Sequence, residues 1–162
     1  MNHATLARFL DEIVPAFERG DPAVAGKPTE RDNVRVILGQ CQAIGRGDLA
    51  ALEASMAEDV ELEIVGPAEV PIVGRWCGRG AVLDAVGKNF RYFEDQRPEI
   101  VSVVAQGDTV ALVVRERGAW RATGHRYDVH LTQVFTLASG KVTRVFELFD
   151  SGPILEAMRE GR

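Results

Sequence analysis

The sequence predicts an α+β domain: a curved antiparallel sheet covered by helices on its concave face, preceded by an extra N-terminal helix. Three observations predict it. Apolar residues recur with a helical period as far as Phe93, β-branched and aromatic runs then take over through Phe149, and tight turn pairs separate some of those runs. With 162 residues and 46% hydrophobic side chains, the chain suits one domain around one core.

Leu6, Phe9, Leu10, Ile13, Val14 and Phe17 lie on one stripe of an amphipathic helix that stops at Gly20. The Gly and Pro of Asp21 to Pro28 read as a linker, so residues 1–28 form an extension and residues 29–162 the domain proper. Thr29-Glu30-Arg31-Asp32 resembles a capped start, and Val34, Ile37, Leu38, Cys41 and Ile44 mark a second helix ending at Gly45-Arg46-Gly47. Asp48 can cap a short third helix carrying Leu49, Leu52 and Met56. Strict alternation in Val60-Glu61-Leu62-Glu63-Ile64 predicts a strand with its apolar face inward and its acids solvated. A loop from Gly66 to Gly80 leads to a helix marked by Val82, Leu83, Val86, Phe90 and Phe93. Strands follow at Ile100–Val104, Val110–Val114, Tyr127–Leu137 and Val142–Phe149, with turns at Gly107-Asp108 and Ser139-Gly140.

Composition excludes several functions. A net charge of -5 argues against nucleic acid or an anionic membrane as partner, since no Lys/Arg cluster offsets repulsion from phosphates. Cys41 and Cys77 sit in apolar contexts outside Cys-x-x-Cys spacing, which predicts buried free thiols and a cytoplasmic location. Neither a leader-like N-terminus nor an apolar run long enough to span a bilayer is present. Glycine-rich phosphate loops, metal-spaced His or Cys pairs and Gly-x-Ser-x-Gly are missing, so no cofactor, no metal and no acyl-enzyme are expected.

The string Gly47 to Leu52 followed by Met56 to Leu62 resembles the opening of SnoaL-like and ketosteroid-isomerase-like proteins of the nuclear-transport-factor-2-like superfamily. The closing string Val134 to Asp150 resembles their last hairpin, especially in limonene-epoxide-hydrolase-like members. The resemblance implies the cone-shaped, cystatin-like version of the α+β plan and a homodimer paired through the outer sheet surface. In the epoxide hydrolases an Arg lies between two carboxylates, and alignment puts that Arg on Arg117 and one carboxylate on Glu147. The second carboxylate falls on Ala119 and the water-holding Tyr and Asn on Leu62 and Ile64, while the isomerase base and Tyr fall near Ile64 and Gln40. The resemblance therefore implies a pocket and one charged pair.

Alternation gives Glu147 one face with Val145 and Phe149, which predicts a desolvated carboxyl suited to acid/base work unless Arg117 pairs with it. Arg117 is either an oxygen clamp in the pocket or an ion-pair partner of Glu147 or Asp150. Leu62, Ile64, Trp76, Phe90, Val113, Arg115, Val129, Leu131, Val145 and Phe149 are expected to line the pocket. Asp150 reads as a turn cap, His130 as an outer-surface residue, His125 as a loop residue, and Trp120 as an edge or interface residue. Phe146 and Leu148 point outward, in keeping with a homodimer. The expected function is an isomerase, cyclase or hydrolase acting on a small hydrophobic molecule such as a terpenoid, steroid or polyketide. The alternative is a non-catalytic dimeric ligand-binding or assembly domain.

Overall fold

The computed structural model describes residues 28–159, so the helix expected at Leu6–Phe17 lies outside the described residues. Helix α1 spans Pro28–Arg46 and presents Val34, Ile37 and Leu38 to the core. Gly47 closes it with φ of 69°, a left-handed conformation that costs a residue without Cβ little. Asp48 then caps α2 (Leu49–Ala54), its Oδ1 accepting from the Ala51 N–H at 3.0 Å.

Strand β1 (Met56–Val65) follows, then β2 (Gly74–Cys77), α3 (Arg79–Tyr92), β3 (Phe93–Gln106), β4 (Thr109–Trp120), β5 (Arg126–Ala138), β6 (Lys141–Phe149) and α4 (Gly152–Met158). The six strands form one sheet in the order β2-β1-β6-β5-β4-β3. Every neighbouring pair is antiparallel except β1 and β6, so the sheet is mixed rather than wholly antiparallel. The parallel joint arises because β6, besides pairing with its hairpin partner β5, lies on its other edge beside a strand far earlier in the chain.

Period-two alternation decides what each face buries. The inner face carries Val60 and Leu62 of β1, Val110, Leu112 and Val114 of β4, Phe135 of β5 and Val145 of β6, against α1, α2 and α3. Each full burial of a Val, Leu or Ile contributes about 1.5–3 kcal/mol, which locks strand register because a one-residue slip would expose the whole set. A second cluster joins Ile154 and Ala157 of α4 to Val70, Phe93, Trp120, Tyr127 and Val129.

Several expected features differ. Met56 and Phe93, expected on helices, open β1 and β3, and the stretch expected as a loop from Gly66 to Gly80 contains β2 and the start of α3. Trp120 is not an edge residue: it is 7% exposed, edge-on to Phe93 at 5.2 Å and stacked on Tyr92 at 5.5 Å. Cys77 is exposed rather than buried, because β2 is the end strand of the sheet and borders only β1 among the described strands.

Candidate functional site

Between the concave face and the helices lies a cavity of about 200 Å³. Its walls are mostly apolar, from Ile44 and Leu52 on the first two helices, Val82 and Val86 on α3, Leu62 and Ile64 on β1, Ile100 on β3 and Leu131 on β5. Gln40, Asn89, Glu116, Gln133 and Glu147 supply the polar atoms, apart from the Cys41 thiol. Among the described residues, no Lys, Arg or His lines it.

Glu147 faces inward because Val145, two residues before it, is buried in the core. Its direct cross-strand partners are Ile64 on β1 and Gln133 on β5. Gln133 Nε2 donates to Glu147 Oε2 at 2.7 Å. What surface Glu147 keeps faces the cavity, and loss of bulk water pushes its carboxyl from 4.5 up to about 7. The Gln133 bond opposes that rise, and the charge of Glu116 adds to it.

Glu116 is the second carboxyl of the cavity. Its Oε1 accepts from the Tyr127 hydroxyl at 2.7 Å and from Gln96 Nε2 at 3.1 Å. Burial pushes its pKa above the ordinary carboxyl value, and the two donors pull the other way. The same contact, with burial as the larger cause, holds the Tyr127 hydroxyl firmly protonated. Two local devices build this cluster. The register of β3 against β4 shifts between Glu94 and Arg97, where Asp95 takes a φ of 51°, and the irregularity leaves Gln96 buried beside Glu116. Gly118, opposite Tyr127 on β4, leaves room for the ring: a Cβ there would stand 2.4 Å from the Tyr127 hydroxyl oxygen. Gln96 Oε1 is buried with no hydrogen-bond partner among the described residues.

Of the residues expected at the site, Leu62, Ile64, Leu131, Val145 and Glu147 line the cavity. Arg117 does not, and the expected Arg117–Glu147 pair is not formed. Val114 and Glu116 face the cavity, so Val113, Arg115 and Arg117 face outward by alternation. Arg117 instead meets Glu99 at 3.3 Å, and Arg115 makes a two-pronged contact with Asp128 at 2.6 and 2.8 Å that holds this carboxyl below its usual range. Trp76 lies on the inner face opposite Leu62 but packs against the core, with Lys88 Nζ 5.9 Å from its ring centroid. Phe90 is half-buried on α3 outside the cavity lining, while Val129 and Phe149 belong to the second cluster with α4. Asp150 caps as expected, its Oδ1 accepting from the Gly152 N–H at 3.2 Å. His130 lies exposed opposite Arg115, and His125 is exposed beside Gly124.

Sequence reasoning missed Glu116, Gln133, Tyr127 and Gln96. The first two were within reach: Val110, Leu112 and Val114 put Glu116 on the inner parity of β4, as Leu131 and Phe135 do for Gln133 on β5. Gln96 depends on a bulge and carries no such signal.

Residues 38–145, two thirds of the chain, match the SnoaL-like domain family. No curated protein matches the chain. Among solved structures, an NTF2-like protein of Burkholderia xenovorans LB400 shares 27% identity over 80% of this chain and 98% of its own, with a TM-score of 0.72. A protein of Jannaschia sp. CCS1, provisionally described as a SnoaL-like polyketide cyclase, shares 19% identity over 85% of this chain and 99% of its own, with a TM-score of 0.76. An NTF2-like protein of Burkholderia thailandensis E264 shares 22% identity over 78% and 97%, with a TM-score of 0.71.

Proposed function

This chain belongs to the SnoaL-like domain family, and we propose that its cavity is an acid/base site in which Glu147 moves a proton on a small, mostly apolar substrate. One observation carries the reading: a desolvated carboxyl, raised to about 7, sits in an apolar cavity with a neutral amide as its single hydrogen-bond partner among the described residues. A group poised near neutrality is about equally ready to give and to take a proton, the condition for efficient general acid or base catalysis. Gln133 fixes where the carboxyl points without holding it ionised as an Arg would. Isomerisation, ring closure and hydration all use such a transfer, and the name of the Jannaschia neighbour fits that range.

The size of the cavity narrows the substrate. A void of about 150 Å³ accommodates benzene, so a cavity of about 200 Å³ suits a one-ring molecule better than a four-ring steroid. The test is turnover of one-ring enones, cyclic ketones and epoxides by the parent chain and by Glu147→Gln. General acid/base catalysis contributes roughly a hundredfold or more, and the variant should lose at least that much while still binding. Retained turnover in the variant would remove Glu147 from the chemistry. Binding without turnover by either protein would favour a ligand-binding module.

The chain acts as a homodimer through the outer sheet face. Val104, Ala111, Val134 and Phe146 occupy one cross-strand row there, next to Val113 and Leu148. Val104 is 62% and Leu148 47% exposed, and an apolar stripe of that kind gains from being covered. Free Cys41 and Cys77 fit a reducing, cytoplasmic compartment.

A further inference from the structure

We propose that the cavity selects a small apolar amine, bound as its ammonium ion against Glu116 and Glu147; this rests on the reading of the cavity as the ligand site.

The cavity places two carboxyls in an apolar enclosure without a protein cation among its described lining residues. None of the sheet's arginines lines the cavity, and five of them meet acids elsewhere: Arg75 and Arg144 meet Glu63, Arg115 meets Asp128, Arg117 meets Glu99 and Arg126 meets Asp95. Acids and bases thus pair on the outer side of the sheet, while the cavity side holds acids without a base among the described residues. A buried carboxylate without a counter-ion is costly, and a ligand that brings the missing charge recovers part of that cost on binding.

The hydrogen bonds left open point the same way. Of the four carboxyl oxygens, Glu116 Oε1 takes two donors and Glu147 Oε2 takes one. Glu116 Oε2 and Glu147 Oε1 take none from the described residues, and neither is sealed in the protein as Gln96 Oε1 is. An ammonium group carries three donors and a full charge, whereas an alcohol offers one donor and no charge. An anionic ligand would meet two acids and no cation. Ile44, Leu62, Val86, Ile100, Leu131 and Val145 would cover the hydrocarbon part, and about 200 Å³ sets its size at one ring with a short aminoalkyl arm.

Ionised carboxyls bind the cation, so affinity should rise with pH through the range where Glu147 loses its proton and fall again once the amine does. The groups facing Glu147 are Glu116 from β4 and Cys41 from α1, with Tyr127 of β5 behind Glu116. Burial holds the Cys41 thiol up at about 12, so it stays neutral across this range. The cavity residues of α2, α3, β1 and β3 carry only apolar or amide side chains.

The experiment is calorimetric titration of the full chain with cyclohexylmethylamine, cyclohexylmethanol and cyclohexanecarboxylate at about pH 8, above the Glu147 value of about 7 and where the amine remains charged. The amine should bind at least about tenfold more tightly than the alcohol, and the carboxylate not at all. Glu147→Gln should remove the amine's advantage and leave the alcohol's affinity within about twofold. Equal or tighter binding of the alcohol would overturn the proposal and leave the acid/base reading standing. An amine advantage that survives in both Glu147→Gln and Glu116→Gln would place binding on the acidic surface and overturn it as well. Failure of all three ligands to bind would count against this proposal and the cavity reading together.

Discussion

Gln133 Nε2 donates to Glu147 Oε2 at 2.7 Å from a directly opposed position on the neighbouring strand. The bond favours the charged form of a carboxyl that burial otherwise keeps protonated. Gln133→Leu removes the donor without adding charge. Glu147 should then titrate at higher pH than in the parent, and the low-pH side of any activity profile should move up with it, read by carboxyl-carbon NMR.

Glu147 also makes stability depend on pH. Its folded-state value of about 7 lies above the ordinary 4.5, so the folded chain holds this proton more tightly than the unfolded chain. Stability from this group is fully present below about 4.5 and is lost as pH rises to about 7, by up to about 3 kcal/mol. Glu147→Gln should therefore match the parent near pH 4 and exceed its stability near pH 8 by about 3 kcal/mol in urea unfolding.

Tyr127 and Gly118 act as a unit. A Cβ on Gly118 would press on the Tyr127 hydroxyl at 2.4 Å, and that buried ring is held by its hydrogen bond to Glu116. Gly118→Ala should cost about 1–3 kcal/mol. Tyr127→Phe removes one of two donors to Glu116 and should cost about 1–2 kcal/mol, with Glu116 titrating higher than before. Combining Gly118→Ala with Tyr127→Phe should cost less than the sum, because the second change removes the atom in the clash.

Arg117 should matter little to the cavity. Its contact with Glu99 joins two half-exposed side chains on the outer face, and such pairs contribute about 0–1 kcal/mol. Arg117→Ala should leave the titration of Glu147 unchanged. A shift of that titration would show a coupling through the sheet that the geometry does not contain.

On the outer face, Phe146→Glu puts a charge into the row of Val104, Ala111 and Val134. Analytical ultracentrifugation should find the parent dimeric and this variant monomeric, with the fold retained by circular dichroism, because the substituted side chain points away from the core.

The plan of the fold was legible because period and parity are local signals. Val34, Ile37 and Leu38 on one helical stripe, and Val60, Leu62 and Ile64 on one strand face, each point to the core from their spacing alone. The same rule placed Glu147 inside, between Val145 and Phe149. It places Glu116 inside too, but the charged run Arg115-Glu116-Arg117 resembles a solvated surface, and the likeness to epoxide hydrolases points to Arg117 on the opposite face. Strand β2, four residues long, and helix α4, seven residues long, are too short to show a period. They form because β1 offers an open edge and because Val70, Phe93 and Tyr127 leave an apolar surface for Ile154 and Ala157. The bulge that places Gln96 beside Glu116 is set by the register of two paired strands, which no window of one strand reveals.

The most direct test of the account is the titration of the Glu147 carboxyl carbon in the parent chain, assigned by comparison with Glu147→Gln. A midpoint near 7, moving when a one-ring ligand enters the cavity, is what a desolvated acid/base group requires. A midpoint near the ordinary 4.5, unmoved by ligand, would mean that water or a counter-ion reaches this carboxyl, and would contradict the account.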